Sequence, residues 1–416
     1  MDGDQTLRGL TPADLTQATA GLQAVVDAGD LAGVVTLVWQ GGEVVQVNTV
    51  GWRDLEAKAP MARDTLFRIA SMTKPVTSLA ALMLMEEDKL KLDDPISRWL
   101  PEFKDMQVLK SATGPLDETY PAPREITVED LLTHRAGLAY GFSSMGPIAQ
   151  AHDDRLGPPL GTPLTPEAWL MALGSLPLSY PPGAQFHYSH ATEVLGFLVA
   201  RIEGKPLGQV LKNRIFGPLG MDDTDFWCPP DKRHRMAKLY RMNPETDRLQ
   251  DVSMPHPDGQ PAFEAGGGGL ISTADDYLKF ARMMLGGGQL DGVRLVEAET
   301  LALMAANKLT PEQRAIPFMG LPFWMSQGFG LGLSVIMDPT AHIWMGAGSE
   351  GAFGWPGAFG TWWQADPAED LVVIYLVQDS MPLGPEAVAN MAARRGLGGR
   401  AALPIFQKMV YAALGK

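Results

Sequence analysis

Ser71-Met72-Thr73-Lys74 follows an apolar run (Leu66, Phe67, Ile69, Ala70) and opens a segment in which Val76, Leu79, Ala80, Met83 and Leu84 recur at helical spacing. That spacing predicts a helix with one buried face. Pro75 fits only in the first turn, where its missing N–H costs nothing, so the helix is expected to begin at about Ser71. Residues three apart share a helix face, which puts the Lys74 amine within reach of the Ser71 hydroxyl. A serine hydroxyl is a weak nucleophile until a neighbour takes its proton. A lysine does this only when burial or a nearby positive charge brings it well below its usual pKa of about 10.4. The helix N-terminus adds a field that favours negative charge at Ser71 and N–H groups for an oxyanion. Taken alone, the four residues favour an N-cap serine beside a solvated lysine.

Two further segments bear on that choice. Pro181-Pro182-Gly183-Ala184-Gln185-Phe186-His187 reads as a turn and a short extended stretch leading to Tyr188-Ser189-His190. An amphipathic series, Val194, Leu195, Leu198, Val199 and Ile202, follows. A tyrosine at such a junction is placed to point its hydroxyl into a cleft. The third segment, Gly351 to Thr361, is glycine-rich and aromatic and contains Trp355-Pro356-Gly357-Ala358. Its glycines permit close backbone approach to a ligand or another element.

The order and spacing of these segments resemble the serine β-lactamase and penicillin-binding-protein superfamily, whose S-x-x-K motif carries the nucleophile. Within it the chain is most similar to class C β-lactamases and family VIII carboxylesterases. Leu131 to Leu138, Ile215 to Met221, Gly266 to Leu270 and Ser272 to Asp276 extend the resemblance over nearly the whole chain. It implies an α/β (α+β) fold of the β-lactamase/transpeptidase type: an antiparallel sheet flanked by helices, a mostly helical domain, and the active site between them. It implies Ser71 as the acylated nucleophile and Lys74 as its base or proton partner. Tyr188 would act as a phenolate, or as a proton shuttle with Lys74. The oxyanion hole would be the backbone N–H groups of Ser71 and Ala358, with His190, Trp355 and Gly357 contacting substrate.

Two departures from the family pattern refine this. Lactamases and peptidases usually carry Lys-Thr-Gly where this chain has Trp355-Pro356-Gly357, as family VIII esterases have W-x-G. The lysine supplies a fixed positive charge for a carboxylate, whereas an indole supplies an apolar wall, which favours neutral esters. The second departure is His190, where most relatives carry asparagine. The expected activity is hydrolysis of short- to medium-chain carboxylic esters through an acyl-enzyme, with weak β-lactam turnover. A class C-type β-lactamase, a D-amino-acid peptidase or amidase, an acyl-transferring transesterase and a non-catalytic penicillin-binding scaffold stay open as alternatives.

Other candidates read as structural. Ala347-Gly348-Ser349-Glu350-Gly351 lacks the helix that a nucleophile elbow requires. Cys228, the single cysteine, permits no internal disulfide. The seven histidines, among them His134, His187, His190 and His342, show no metal-ligand spacing, so no metal or cofactor is expected. Gly266 to Gly269 lacks the Gly-Lys-Ser/Thr of a phosphate loop and reads as tight packing before a helix capped near Ser272 or Thr273.

A net charge of −14 argues against nucleic acid and anionic membranes as partners, leaving a small-molecule ester as the expected one. The first residues lack a basic and apolar leader, so the expected location is cytoplasmic, or periplasmic if a leader has been removed. In the chain as a whole, Thr11 to Asp27 reads as a helix, and Gly33 to Gln40 with Glu43 to Val50 as a hairpin. Helical patterns run from Ser71 to about Leu285. Strands are expected at Gly328 to Met337, His342 to Met345, Gly360 to Gln364 and Leu371 to Val377, before a final helix at Pro404 to Leu414. This divides the 416 residues into a sheet domain (1–70 and 325–416) and a helical domain (71–324). Tyr140 to Pro166 and Met319 to Gln327 are expected at the rim of the acyl pocket. Trp362 and Trp363 are expected on opposite faces of their strand.

Overall fold

The structure, a computed structural model, describes residues 9–318, 320, 322–341, 347–380 and 398–416. The expected hairpin forms as β1 (Gly33–Gln40) and β2 (Glu43–Asp54), turning on Gly41 and Gly42, both with positive φ. β3 (Ala59–Pro60) extends β2, and the remaining strands come from the other end of the chain: β4 (Gln327–Phe329), β5 (Ser334–Ile336), β6 (Phe353–Pro356), β7 (Trp362–Asp366) and β8 (Leu371–Leu376). The eight form one sheet in the order β4-β5-β6-β7-β8-β1-β2-β3. Every named pairing is antiparallel, and β1 lies between β8 and β2, joining the two ends of the chain. The segment expected as one strand at Gly328 to Met337 is instead a β4–β5 hairpin through Gly330-Leu331-Gly332. His342 to Met345 lie outside the described residues.

β1 is buried at all eight positions because both faces of the sheet are covered. Alternation sends Val34 and Val38 to one side, against helix α1 (Thr16–Asp27) and the C-terminal helix. Val35, Leu37 and Trp39 go to the other side. There the covering helix is Ala274–Leu285, whose Tyr277 and Phe280 meet Trp363. Trp362 and Trp363 do point to opposite faces, but both are core residues, and neither borders the cleft. The last helix runs Gly398–Ala413, starting earlier than the pattern indicated.

The helix carrying the first motif, α2 (Thr73–Glu86), departs from the expected single buried face: Thr73 to Leu82 are all buried. It is a central helix, packed against α3 (Ala191–Glu203), and the β4–β5 turn at Gly332 comes close to its Ser78. Thr77 Oγ1 donates to the Gly266 carbonyl across this interface. We propose that the chain divides into the sheet unit (1–70 and 325–416) and the helical unit (71–324) named above, with Ala274–Leu285 as the helix that seats one on the other. No helix among the described residues is long and apolar enough to cross a membrane.

Candidate active site

Ala70 enters the left-handed region at φ 48, turning the chain sharply into a 3₁₀ turn, Ala70–Met72, which runs on into α2. Such a conformation is costly for a residue with a Cβ and persists only where neighbours enforce it. Here the enforcing contact comes from the sheet. Thr361 Oγ1 donates to the Ile69 carbonyl over 3.0 Å, and Gly357 N–H donates to the Thr361 carbonyl over 2.7 Å. A Cβ on Gly357 would fall on both Thr361 Oγ1 and the Ile69 carbonyl, so only glycine fits where β6 passes the nucleophile's turn.

Ser71 and Lys74 meet as the spacing indicated: Lys74 Nζ lies 3.3 Å from Ser71 Oγ. Tyr188, just ahead of α3, donates its hydroxyl to Ser71 Oγ over 2.7 Å. Trp355 Nε1–H in turn donates to Tyr188 Oη over 3.3 Å. Lys74 and Tyr188 thus converge on Ser71 Oγ, and Trp355, from a third distant segment, holds the Tyr188 hydroxyl. The sequence placed Ser71, Lys74, Tyr188 and Trp355 in the site, and the structure brings them together.

Lys74 is 1% exposed. Its other acceptors are the Gly267 carbonyl at 2.6 Å and Tyr140 Oη at 3.2 Å. The rings of Tyr188 and Tyr140 lie 4.7 and 5.5 Å from Nζ. Tyr140 Oη donates to the buried Glu193 carboxylate, 3.0 Å from each oxygen. Burial pushes the Tyr140 phenol well above its usual pKa, and the Glu193 charge adds to this. Burial also raises Glu193, against the opposing pull of Lys74.

Sequence reasoning missed Tyr140, Glu193 and the Gly267 carbonyl as members of this group. Tyr140 was placed only at the rim, Glu193 sits in an amphipathic helix pattern, and a carbonyl has no residue signature. The usable signal was Gly266 to Gly269: a Cβ on Gly267 would enter the Glu193 carboxylate, so the glycine marks that close approach.

His190 takes a different place from the one expected. Its buried ring packs edge-on against Tyr140 at 4.2 Å and against Trp169 at 5.2 Å, and stacks on His152 at 5.7 Å. Lys74 is held instead by Tyr140 and Gly267. Trp355 likewise is no bare wall: it is buried among Phe318, Phe323 and Phe329, with its N–H engaged by Tyr188. The half-buried members of this aromatic cluster are Phe142 and Phe318, on either side of Tyr188. Phe323 and Trp324 belong to the cluster's buried part, whereas Met325 is exposed and Met319 lies outside the described residues.

Four histidines surround these groups, and all are held neutral. Burial lowers His134 and His190 well below the usual range, the Lys74 charge adding to it, and burial brings His152 and His187 to about 4. An unfolded chain protonates its histidines below about pH 6.5, so between about 4 and 6.5 it binds more protons than the folded one. Stability is therefore full above pH 6.5 and falls as the pH drops towards 4. His152 and His187 each contribute about 3 kcal/mol to this loss. Thermal unfolding between pH 7.5 and 4.5 is the check: the midpoint should fall steeply below pH 6.5, and a flat profile would contradict the burial of these rings.

The other candidates prove structural. Ser349 N–H donates to Asp366 in a loop, and Cys228 is buried. Thr273 caps Ala274–Leu285, its Oγ1 accepting from Asp276 N–H over 3.2 Å, as the sequence indicated. No group of His, Cys, Asp and Glu among the described residues is placed to hold a metal ion.

The chain and its fold are similar to those of known proteins. A protein of Mycobacterium tuberculosis (strain ATCC 25618 / H37Rv), Rv1367c, is 51% identical over 399 residues, which cover 95% of this chain and 98% of that one. Esterase EstB of Burkholderia gladioli is 33% identical over 395 residues, 87% of this chain and 91% of its own. The solved structure of EstCE1, described as a hydrolase with promiscuous acyltransferase activity, superposes with a TM-score of 0.74 at 27% identity, covering 94% of this chain and 99% of its own. The family model for β-lactamase matches residues 9–397. An antiparallel sheet with helices on both faces and S-x-x-K on a central helix is thus the β-lactamase/transpeptidase fold, and this chain belongs to the β-lactamase family, on its esterase-like side.

Proposed function

We propose that this chain is a serine carboxylesterase that cleaves short- to medium-chain carboxylic esters through an acyl-enzyme on Ser71. The observation that carries this is the convergence of Tyr188 Oη at 2.7 Å and Lys74 Nζ at 3.3 Å on Ser71 Oγ. Removal of the hydroxyl proton by Lys74 frees the oxygen to attack the ester carbonyl. Tyr188, touching the same oxygen, is placed to pass a proton to the departing alkoxide. Deacylation runs the sequence backwards, with water in the alcohol's place. The N–H groups of Ser71 and Ala358 receive the developing oxyanion, a role supported by the tie between the Gly357–Thr361 loop and the Ile69 carbonyl.

Neutral esters are the substrate class because an indole stands where a carboxylate-binding lysine would. Trp355 backs that side of the site behind Tyr188, Gly357 lets β6 pass close to the Ser71 turn, and His190 packs against Tyr140. EstB and the lovastatin esterase of Penicillium rubens, 28% identical, carry names of the same activity. Acyl transfer is the second reading, favoured by the acyltransferase activity in the description of EstCE1. It uses the same steps with an acceptor alcohol replacing the water of deacylation.

The test compares p-nitrophenyl acetate, butyrate and octanoate with a chromogenic cephalosporin. Ester kcat/KM is expected to exceed cephalosporin kcat/KM by at least about 100-fold, the scale set by a missing charge partner. Preferential cephalosporin hydrolysis would overturn the reading of Trp355. Adding a primary alcohol and measuring the new ester separates transfer from hydrolysis.

A further inference from the structure

Glu193 is a buried carboxylate with no part in the chemistry just described, yet it stands one hydrogen bond from the lysine's own partner. Its position in the first turn of α3 gives it the favourable field of a helix N-terminus. Tyr140 Oη lies equally far, 3.0 Å, from both carboxylate oxygens, the arrangement of a hydroxyl donating to an ionised acid. Because the Tyr140 proton is committed to Glu193, Tyr140 Oη offers Lys74 only a lone pair. The Gly267 carbonyl is an acceptor by nature. A neutral amine has two N–H bonds and one lone pair. With both N–H bonds taken by Tyr140 and Gly267, the lone pair has one direction left, towards Ser71 Oγ.

We propose that Glu193 is a positioning residue that fixes the direction of the hydrogen bonds around Lys74, so that the neutral amine turns its lone pair to Ser71. This rests on the assignment of Ser71 and Lys74 made above. The chain of donors is then consistent throughout: Trp355 N–H to Tyr188, Tyr188 O–H to Ser71, Ser71 O–H to Lys74, Lys74 N–H to Tyr140, Tyr140 O–H to Glu193. When Ser71 attacks, its proton moves to Nζ, and the ammonium so formed faces the Glu193 charge across Tyr140. The other titratable groups facing this centre are Tyr188 and the neutral His134 and His190.

The amide of Glu193→Gln is able to donate to Tyr140 Oη, which lets the Tyr140 hydroxyl turn towards Lys74 and occupy its lone pair. The probe is the rate at which a fluorophosphonate labels Ser71, followed across pH beside kcat and KM for p-nitrophenyl butyrate. For Glu193→Gln the labelling rate and kcat are expected to fall about tenfold or more, with KM within about twofold of wild type. Loss of the carboxylate charge lowers the ammonium's proton affinity, so the acid limb of the profile moves to lower pH. Tyr140→Phe removes the link and should lower the plateau likewise. In its background Glu193→Gln should add less than about twofold, the mark of one shared path.

An unchanged rate overturns the proposal, as does a lower rate with an unmoved acid limb, which is what simple loosening of the fold would give. Independent, multiplying losses in the double variant also overturn it. Should Glu193→Gln fail to fold, Tyr140→Phe alone decides: a wild-type rate in that variant refutes the link. Wild-type protein that is not labelled at Ser71 at all would refute the esterase assignment itself, a result distinct from each of these.

Discussion

Ser71→Ala should reduce ester hydrolysis by at least about 10⁴-fold while leaving the fold intact. In a serine hydrolase the nucleophile and its base act as one unit, so removing the oxygen forfeits nearly everything the unit provides. What survives is the contribution of binding and the oxyanion hole, about 10³ to 10⁴ over water. The hydroxyl's partners are Tyr188 and Lys74, and both retain other bonds after its removal, to Trp355 and to Gly267 and Tyr140. The thermal midpoint should therefore stay near that of wild type. Steady-state kinetics on p-nitrophenyl butyrate, with fluorophosphonate labelling read by intact mass, checks both halves. Turnover within about tenfold of wild type in a pure sample would show that the acyl-enzyme forms elsewhere.

Lys74→Met separates chemistry from structure by a different route. The methionine chain is nearly as long and fills the same buried space without charge. Loss of proton transfer should lower kcat by about 10³- to 10⁴-fold. The Gly267 carbonyl and Tyr140 Oη lose a donor, at a cost of about 1–3 kcal/mol for a buried acceptor left unpaired. Replacing a polar amine that is 1% exposed by an apolar chain offsets this, so the net change in stability should be small. An inactive protein with a near-native thermal midpoint is the expected outcome. Unfolding at ambient temperature would instead mean that the ammonium is a structural pillar of the central helix.

What the sequence made legible was whatever depends on neighbours a few residues apart. Ser71 and Lys74 share one turn, so their meeting follows from helix geometry, and the β1–β2 hairpin follows from alternation about Gly41-Gly42. Tyr188 and Trp355 needed the resemblance, since nothing local says that the Tyr188 hydroxyl reaches Ser71 or that the Trp355 indole N–H reaches Tyr188. The continuous burial of α2 was hidden because Thr73, Thr77 and Ser78 read as a polar face. Their burial depends on partners far away in sequence, such as the Gly266 carbonyl that accepts from Thr77. Tyr140 and Glu193 were invisible for the same reason, being 66 positions from Lys74 and 53 from Tyr140 respectively. His190 was misplaced by analogy: the larger ring finds room among Tyr140, His152 and Trp169, and aromatic packing settles its orientation.

The bond from Thr361 to the Ile69 carbonyl spans 292 positions of sequence. It sets when, during its synthesis, this protein becomes an enzyme. Ser71, Lys74, Tyr140 and Tyr188 have all left the ribosome by the middle of translation, yet the turn that aims Ser71 is held from β6 and the loop after it. β8 then closes the sheet against β1, a long-range pairing of the kind that forms slowly. A nascent chain therefore carries its nucleophile in an unaimed, unreactive form until nearly the last strand is in place. The catalytic geometry is therefore expected only with the completed sheet, and half-made chains should not carry it.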